Sequence, residues 1–136
     1  MNAEIVTIGD ELLIGQVINT NQAYIGEHLN TIGVAVTHMT TVGDDTATIL
    51  GAFDVAWTRS DIVIVTGGLG PTHDDITKKT VCEFFTTDLV RSAAVRADVE
   101  RLLQTRNIAW SAAHEDQTLV PRKAAIMPNP VGTAPG

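Results

Sequence analysis

The sequence is short of several things, and each shortage excludes something. Its 136 residues include one cysteine, Cys82. No disulfide can close within the chain, no cysteine-rich zinc site is available, and a reducing compartment is expected. Basic residues are few: 9 Lys and Arg stand against 16 Asp and Glu, a net charge of −7. With no Lys/Arg run there is no basic footprint for DNA or RNA, so nucleic acid is not expected as a partner. No apolar stretch approaches the ~18 residues that span a bilayer. The opening Met1-Asn2-Ala3-Glu4 lacks the basic region of a secretory signal. The expectation is a cytoplasmic protein without membrane contact. Glycine and proline are present at ordinary levels, which removes collagen-like and low-complexity readings.

What remains is globular composition, 44% hydrophobic and 18% charged. The length suits one domain over residues 1–136, able to bury its own core. Glu4–Ile8 is a short β-branched run closed by Gly9. Tyr24, Ile25, Leu29 and Ile32 fall near helical spacing, with Asn19 or Thr20 as cap and Gly33 after the end. Val34–Thr37 reads as a second strand. A helix over 46–58 comes next, capped by Asp45 or Thr46, with Ile49, Leu50, Phe53 and Ala56 or Trp57 on one face. Asp61–Thr66 is so uniformly apolar that it predicts a central parallel strand covered on both faces. Helices from about Asp74 to Phe85 and Ser92 to Arg106, and a late strand Ala124–Met127, complete the order. Strands alternating with helices predict a three-layer α/β/α sandwich with a mostly parallel sheet. The last nine residues, Pro128–Gly136, are loop chemistry, so the domain is expected to be truncated at its C-terminus.

In open parallel sheets ligands bind beyond the carboxyl ends of the strands. After the first strand comes Gly9-Asp10-Glu11. After the second comes Gly43-Asp44-Asp45. After the third come Gly67-Gly68-Leu69-Gly70 and then Asp74-Asp75. Six of the sixteen acidic residues thus lie in three pairs at what would be one sheet edge. Singly they have plainer roles: Asp10 and Glu11 as turn residues, Asp45 as a helix cap, Asp74 and Asp75 as first-turn carboxylates. Together they repel unless a cation or donor groups neutralise them. A glycine-rich loop leading into a helix offers backbone N–H groups to phosphate. Carboxylates beside phosphate donors suggest a bridging divalent metal, Mg²⁺ first. The arginines at 91, 96, 101 and 106 advance about 140° per step on a helix, so they form no single stripe. His73 is the one histidine placed beside the acidic pairs.

Five segments taken in order resemble a known family. They are Ile8-Gly9-Asp10-Glu11-Leu12-Leu13-x-Gly15; Asn19-Thr20-Asn21; Val42-Gly43-Asp44-Asp45; Thr66-Gly67-Gly68-Leu69-Gly70-Pro71-Thr72-x-Asp74-Asp75-x-Thr77; and Asn129-Pro130-x-Gly132-Thr133-Ala134-Pro135-Gly136. They look like the N-terminal domain of CinA (competence/damage-inducible) proteins, which is similar to the molybdopterin-binding domains of molybdenum-cofactor biosynthesis. The resemblance covers essentially the whole chain. It implies the molybdopterin-binding-like fold and a homo-oligomer. It also implies metal-dependent hydrolysis of ADP-ribose, or a similar nucleoside diphosphate, to AMP and ribose 5-phosphate. In that reading Gly67, Gly68, Leu69, Gly70, Thr72 and Asn21 hold the ligand. Asp44, Asp75, Asp10 and Asp74 bind Mg²⁺ or Co²⁺, and Asp75, Asp44 and Glu11 are the catalytic carboxylates. The alternative is a non-catalytic module binding molybdopterin or a nucleotide, with the carboxylates on pterin N–H groups. Leu69 stands where the cofactor-synthesis relatives usually carry Thr, and His73-Asp74 where they often carry a basic residue; both differences favour the CinA-like reading. The deamidase domain of longer CinA proteins has no counterpart in these residues.

Overall fold

The computed structural model describes residues 1–70 and 76–136. Strands and helices run in the order β1 (Asn2–Ile8), α1 (Asp10–Leu13), α2 (Thr20–Thr31), β2 (Ala35–Val42), α3 (Thr46–Arg59), β3 (Ile62–Thr66), α4 (Ile76–Phe84), β4 (Leu89–Arg91), α5 (Ala93–Thr105), α6 (Ala112–Gln117) and β5 (Leu119–Pro121). They form two compact units, Met1–Gly68 and Leu69–Gly136. None of the described helices is long and apolar enough to cross a membrane.

The first unit is the parallel α/β body. Its sheet has the order β2-β1-β3, all parallel. β1 is bonded on both sides and is buried from Ala3 to Ile8. Side chains alternate across a strand, so Ile5 shares one face with its register partner Met39, and Glu4, Val6 and Ile8 share the other. α2 lies on the first face: a Cβ added at Gly26 would sit 2.8 Å from Met39 Cε and 4.0 Å from Ile5 Cδ1. From the opposite face, Arg59 at the end of α3 reaches Glu4. This helix–sheet–helix layering is the expected α/β class. Asn19 caps α2 by accepting from the Gln22 amide at 3.0 Å, and its own amide donates to Thr7 Oγ1 at 3.0 Å, tying the helix start to β1. Gly33 comes after α2 at φ +77°, as its predicted place beyond the helix requires.

The apolar run Ile62–Thr66 is not the centre of this sheet. Within the described sheet it is an edge, half-buried throughout, and β1 takes the middle. β1 holds that place although it contains a carboxylate, Glu4, which is 0% exposed. Burying a carboxylate is unfavourable unless its oxygens are paired. Arg59 supplies a two-pronged partner, Nε to Oε2 at 2.8 Å and Nη2 to Oε1 at 2.7 Å, and Thr40 Oγ1 donates to Oε1 at 2.7 Å.

The second unit contains α4, a two-stranded antiparallel ladder of β4 and β5, and helices α5 and α6. Val95, Val99 and Leu103 on α5 pack with Val120, and Val90, Trp110 and Ile126 close over them. Ser92 caps α5, its Oγ accepting from Val95 N at 3.3 Å. The predicted boundaries of α5 agree with the structure to a residue. The expected strand Ala124–Met127 does not form. The strand is Leu119–Pro121 instead, and Met127 exchanges both backbone hydrogen bonds with Gly136, at 2.7 and 3.0 Å. Pro128 and Pro130 lack the N–H that a continuing strand needs, so the chain turns back on itself.

The Glu4–Arg59 pair has a defined pH signature. Arg59 holds the Glu4 carboxyl below its ordinary value near 4.5, against the opposing effect of burial, and Thr40 adds to the lowering. A lowered value in the folded state means stability present above pH 4.5 and lost as the pH falls below it. In Arg59→Leu, burial acts on Glu4 without its cation, and protonation then relieves strain. Chemical denaturation between neutral and acid pH should show the gap between wild type and Arg59→Leu widest at neutrality and closing on acidification. A gap independent of pH would refute this account of Glu4.

Candidate functional site

The carboxyl ends of β1 and β2 are held side by side, and a reciprocal clasp fixes the residues just beyond them. Gly9 N donates to Val42 O at 3.0 Å, which continues the β1–β2 ladder one residue further. Beyond it, Asp10 N donates to Asp44 Oδ2 and Asp44 N donates to Asp10 Oδ1, both at 3.1 Å. Each aspartate therefore uses one carboxylate oxygen to hold the other's backbone. Asp10 Oδ2 and Asp44 Oδ1 have no partner among the described residues, and both residues are exposed. One aspartate from each of two of the three acidic pairs thus comes together at the edge where parallel strands end.

A side chain at Gly43 would displace the clasp, whereas at Gly9 the nearest atoms are the end of the exposed Glu11 side chain. A Cβ at Gly43 would stand 2.5 Å from Asp10 Oδ1, and one at Gly9 would stand 2.6 Å from Glu11 Oε1. Glu11 is exposed on α1 and lays its carboxylate across Gly9. Asp45 points elsewhere: its Oδ2 accepts from Thr48 N at 2.8 Å and from the Thr48 hydroxyl at 2.7 Å, capping α3. Those two bonds hold its carboxyl below the usual range. Asn21 is exposed in the first turn of α2, where its neighbour Asn19 does the capping.

The glycine-rich loop begins under a strict backbone constraint. Gly67 has φ +99° and Gly68 φ +60°. A Cβ on Gly67 would fall 2.0 Å from Ile8 O, inside the adjacent strand's backbone. In the second unit, Gln117 donates its side-chain amide to Leu69 O at 3.4 Å. The C-terminal segment is organised by a residue legible in the sequence only as part of a motif, Asn129. Its Oδ1 accepts from Val131 N at 3.1 Å and Gly132 N at 3.0 Å, and its Nδ2 donates to Ala134 O at 2.8 Å.

Thr72, His73, Asp74 and Asp75 lie outside the described residues, as does the predicted helix start at Asp74. Among the described residues, no three His, Cys, Asp or Glu side chains gather as a metal-binding group. The oxygen-only donors at Asp10 and Asp44, each with one uncommitted carboxylate oxygen, fit a hard divalent cation as part of a ligand set. Cys82 is buried, and burial pushes its thiol up, ahead of the effect of Asp88; it is a packing residue. Sequence reasoning missed Gln117 and the Asp10–Asp44 exchange. Only the juxtaposition of Gly-Asp after two parallel strands hinted at the second.

Comparison with known proteins agrees with this architecture. The family described as "Probable molybdopterin binding domain" matches residues 4–136. A CinA-like protein of Flavobacterium psychrophilum is 46% identical over 139 residues, covering 100% of this chain and 33% of that protein. CinA of Thermoplasma acidophilum, described as of unknown function, superposes with a TM-score of 0.86 at 36% identity, covering 99% of this chain and 79% of that one. The tungsten-cofactor-synthesizing protein MoaB of Pyrococcus furiosus shares the fold, with a TM-score of 0.60 at 20% identity over 88% of this chain and 78% of that one. The chain belongs to the molybdopterin-binding domain family and, within it, to the CinA-like proteins. It spans about a third of the length of the curated relatives it matches.

The clasp and the loop make separable predictions. Gly67→Ala forces a backbone displacement between β1 and β3, whereas Gly15→Ala, at φ +71° with nothing within 4 Å, meets only left-handed strain of about 1 kcal/mol. Urea unfolding should show a much larger loss for Gly67→Ala. Asp10→Ala and Asp44→Ala should each destabilise by about 1 kcal/mol, since each removes one carboxylate acceptor and leaves the other bond's backbone donor in place, and the double variant, which loses both bonds, should be less stable than either.

Proposed function

We propose that this domain is a metal-dependent pyrophosphatase acting on ADP-ribose or a similar nucleoside diphosphate. The observation that carries the reading is the Asp10–Asp44 clasp. It presents two carboxylates at the carboxyl end of a parallel sheet, each with one oxygen uncommitted among the described residues. Placing such charges together is unfavourable without a cation. Asp44 and Asp75 would hold Mg²⁺ or Co²⁺, with Asp10, Glu11 and Asp74 in support. A bound divalent ion would supply charge neutralisation on the phosphate oxygens.

The chain's own groups do the rest. The amides of Gly67, Gly68, Leu69 and Gly70, with Thr72, hold the diphosphate, and Asn21 contributes to ligand binding. Glu11 or Asp75 orients the attacking water and accepts its proton. The water oxygen forms a bond to one phosphorus while the bridging oxygen leaves with the other phosphate, giving AMP and ribose 5-phosphate. A homo-oligomer and a cytoplasmic setting belong to the same reading. The match to a family described as molybdopterin-binding favours a second reading, in which a pterin or nucleotide is bound without turnover.

Metal dependence separates the two. ADP-ribose should yield AMP with Mg²⁺ or Co²⁺ and not with chelator. Asp44→Asn and Asp75→Asn should each lose at least ~100-fold in turnover, corresponding to several kcal/mol of transition-state stabilisation. AMP release that survives chelator and Asp75→Asn would refute the proposed chemistry. Tight pterin binding without turnover would establish the second reading.

A further inference from the structure

The second unit buries a polar side chain that its apolar core does not require. Gln117, the last residue of α6, is 1% exposed. Its Nε2 donates to Leu69 O at 3.4 Å, while its Oε1 has no partner among the described residues. A buried amide with an unpaired oxygen is unfavourable, and such groups in folded proteins ask for an explanation. The surrounding backbone is firmly anchored. Thr118 Oγ1 donates to Glu115 O at 2.7 Å, Thr118 O accepts from Ser92 N at 2.9 Å, and Lys78 Nζ reaches Asp116 O at 3.5 Å.

The consequence lies across one peptide bond. Among the described residues there are no cis peptides, so the Leu69 carbonyl and the Gly70 N–H point in opposite directions. Drawing Leu69 O toward the buried Gln117 turns the Gly70 N–H away from it, at an exposed residue. Glycine permits either orientation of its peptide at little cost, so something outside the loop must choose. We infer that Gln117 is the positioning residue of the glycine-rich loop: it fixes the Leu69–Gly70 peptide so that the Gly70 N–H is presented to a phosphate oxygen. This rests on the reading of residues 67–70 as a diphosphate-binding loop. A donor of this kind acts on bound and reacting diphosphate alike, so its removal affects binding more than turnover.

The test uses inorganic pyrophosphate as the binding probe and ADP-ribose as the substrate. Gln117→Leu should weaken pyrophosphate about tenfold and raise KM for ADP-ribose similarly, with kcat nearly unchanged. Gln117→Glu is close in shape but has no N–H. Measured relative to wild type at each pH, its binding should be weak at about pH 8 and recover toward about pH 5, where the protonated carboxyl can donate to Leu69 O. A merely structural role would not produce that recovery. In the wild-type protein, the Gly70 amide resonance should shift on adding pyrophosphate, which needs no variant to fold. Variants that bind pyrophosphate as wild type does, or a Gly70 amide unmoved at saturation, would overturn the assignment to Gln117. Wild-type protein that binds pyrophosphate without releasing AMP from ADP-ribose would sink the reaction and leave the assignment standing. Wild-type protein that binds no pyrophosphate overturns both.

Discussion

The first unit depends on one strand being bonded on both sides. β1 pairs with β2 along its whole length and with β3 along most of it, so it joins the two outer strands into one sheet. The same chemical device secures it at both ends. At its start, Asn2 N donates to Asp61 Oδ2 and Asp61 N donates to Asn2 Oδ1, both at 2.8 Å, fastening β1 to the head of β3. Beyond its end, the Asp10–Asp44 exchange fastens it to the tail of β2. Side-chain oxygens gripping backbone amides replace ladder bonds where the strands run out. The outer clasp is built of carboxylates, so the device that finishes the sheet also concentrates negative charge where parallel sheets receive ligands.

That double use explains how the acidic residues divide. Asp45 is absorbed by its helix, with both its bonds going to Thr48. Glu4 is absorbed by Arg59 and Thr40 inside the sheet. In the second unit, Asp88 pairs with Arg122 through two bonds at 2.8 and 2.7 Å, and Glu115 takes both Arg91 and Arg96. Asp10 and Asp44 each engage one oxygen, as Asp45 and Asp61 do; what sets them apart is that the two carboxylates stand together just beyond the carboxyl ends of two parallel strands.

Local signals carried much of this into the sequence. Asn19, Asp45 and Ser92 are caps because their side chains accept from amides three residues on, and that chemistry is readable without a fold. The convergence of Gly-Asp segments came from parallel strands alone. The order of strands did not, because apolarity reports burial and Glu4 is buried through a partner 55 residues away. Ala124–Met127 has strand composition, but Met127 gives its hydrogen bonds to Gly136. Gln117 is one of four polar residues in Ala112–Gln117, and no spacing rule points from it to Leu69. Asp75, Asp74 and Thr72 lie outside the described residues, so their part in the site is an expectation that rests on sequence resemblance.

Gly67 bears on how this fold changes over time. Its Cα lies so close to Ile8 O that no side chain fits, with or without a ligand. A lineage that bound a different ligand, or none, would still be obliged to keep that glycine, since a side chain there would collide with the backbone of β1. Leu69, which already carries a side chain, is under no such obligation. Drift at that position with Gly67 intact would mark a domain that keeps its sheet after its ligand requirement has changed.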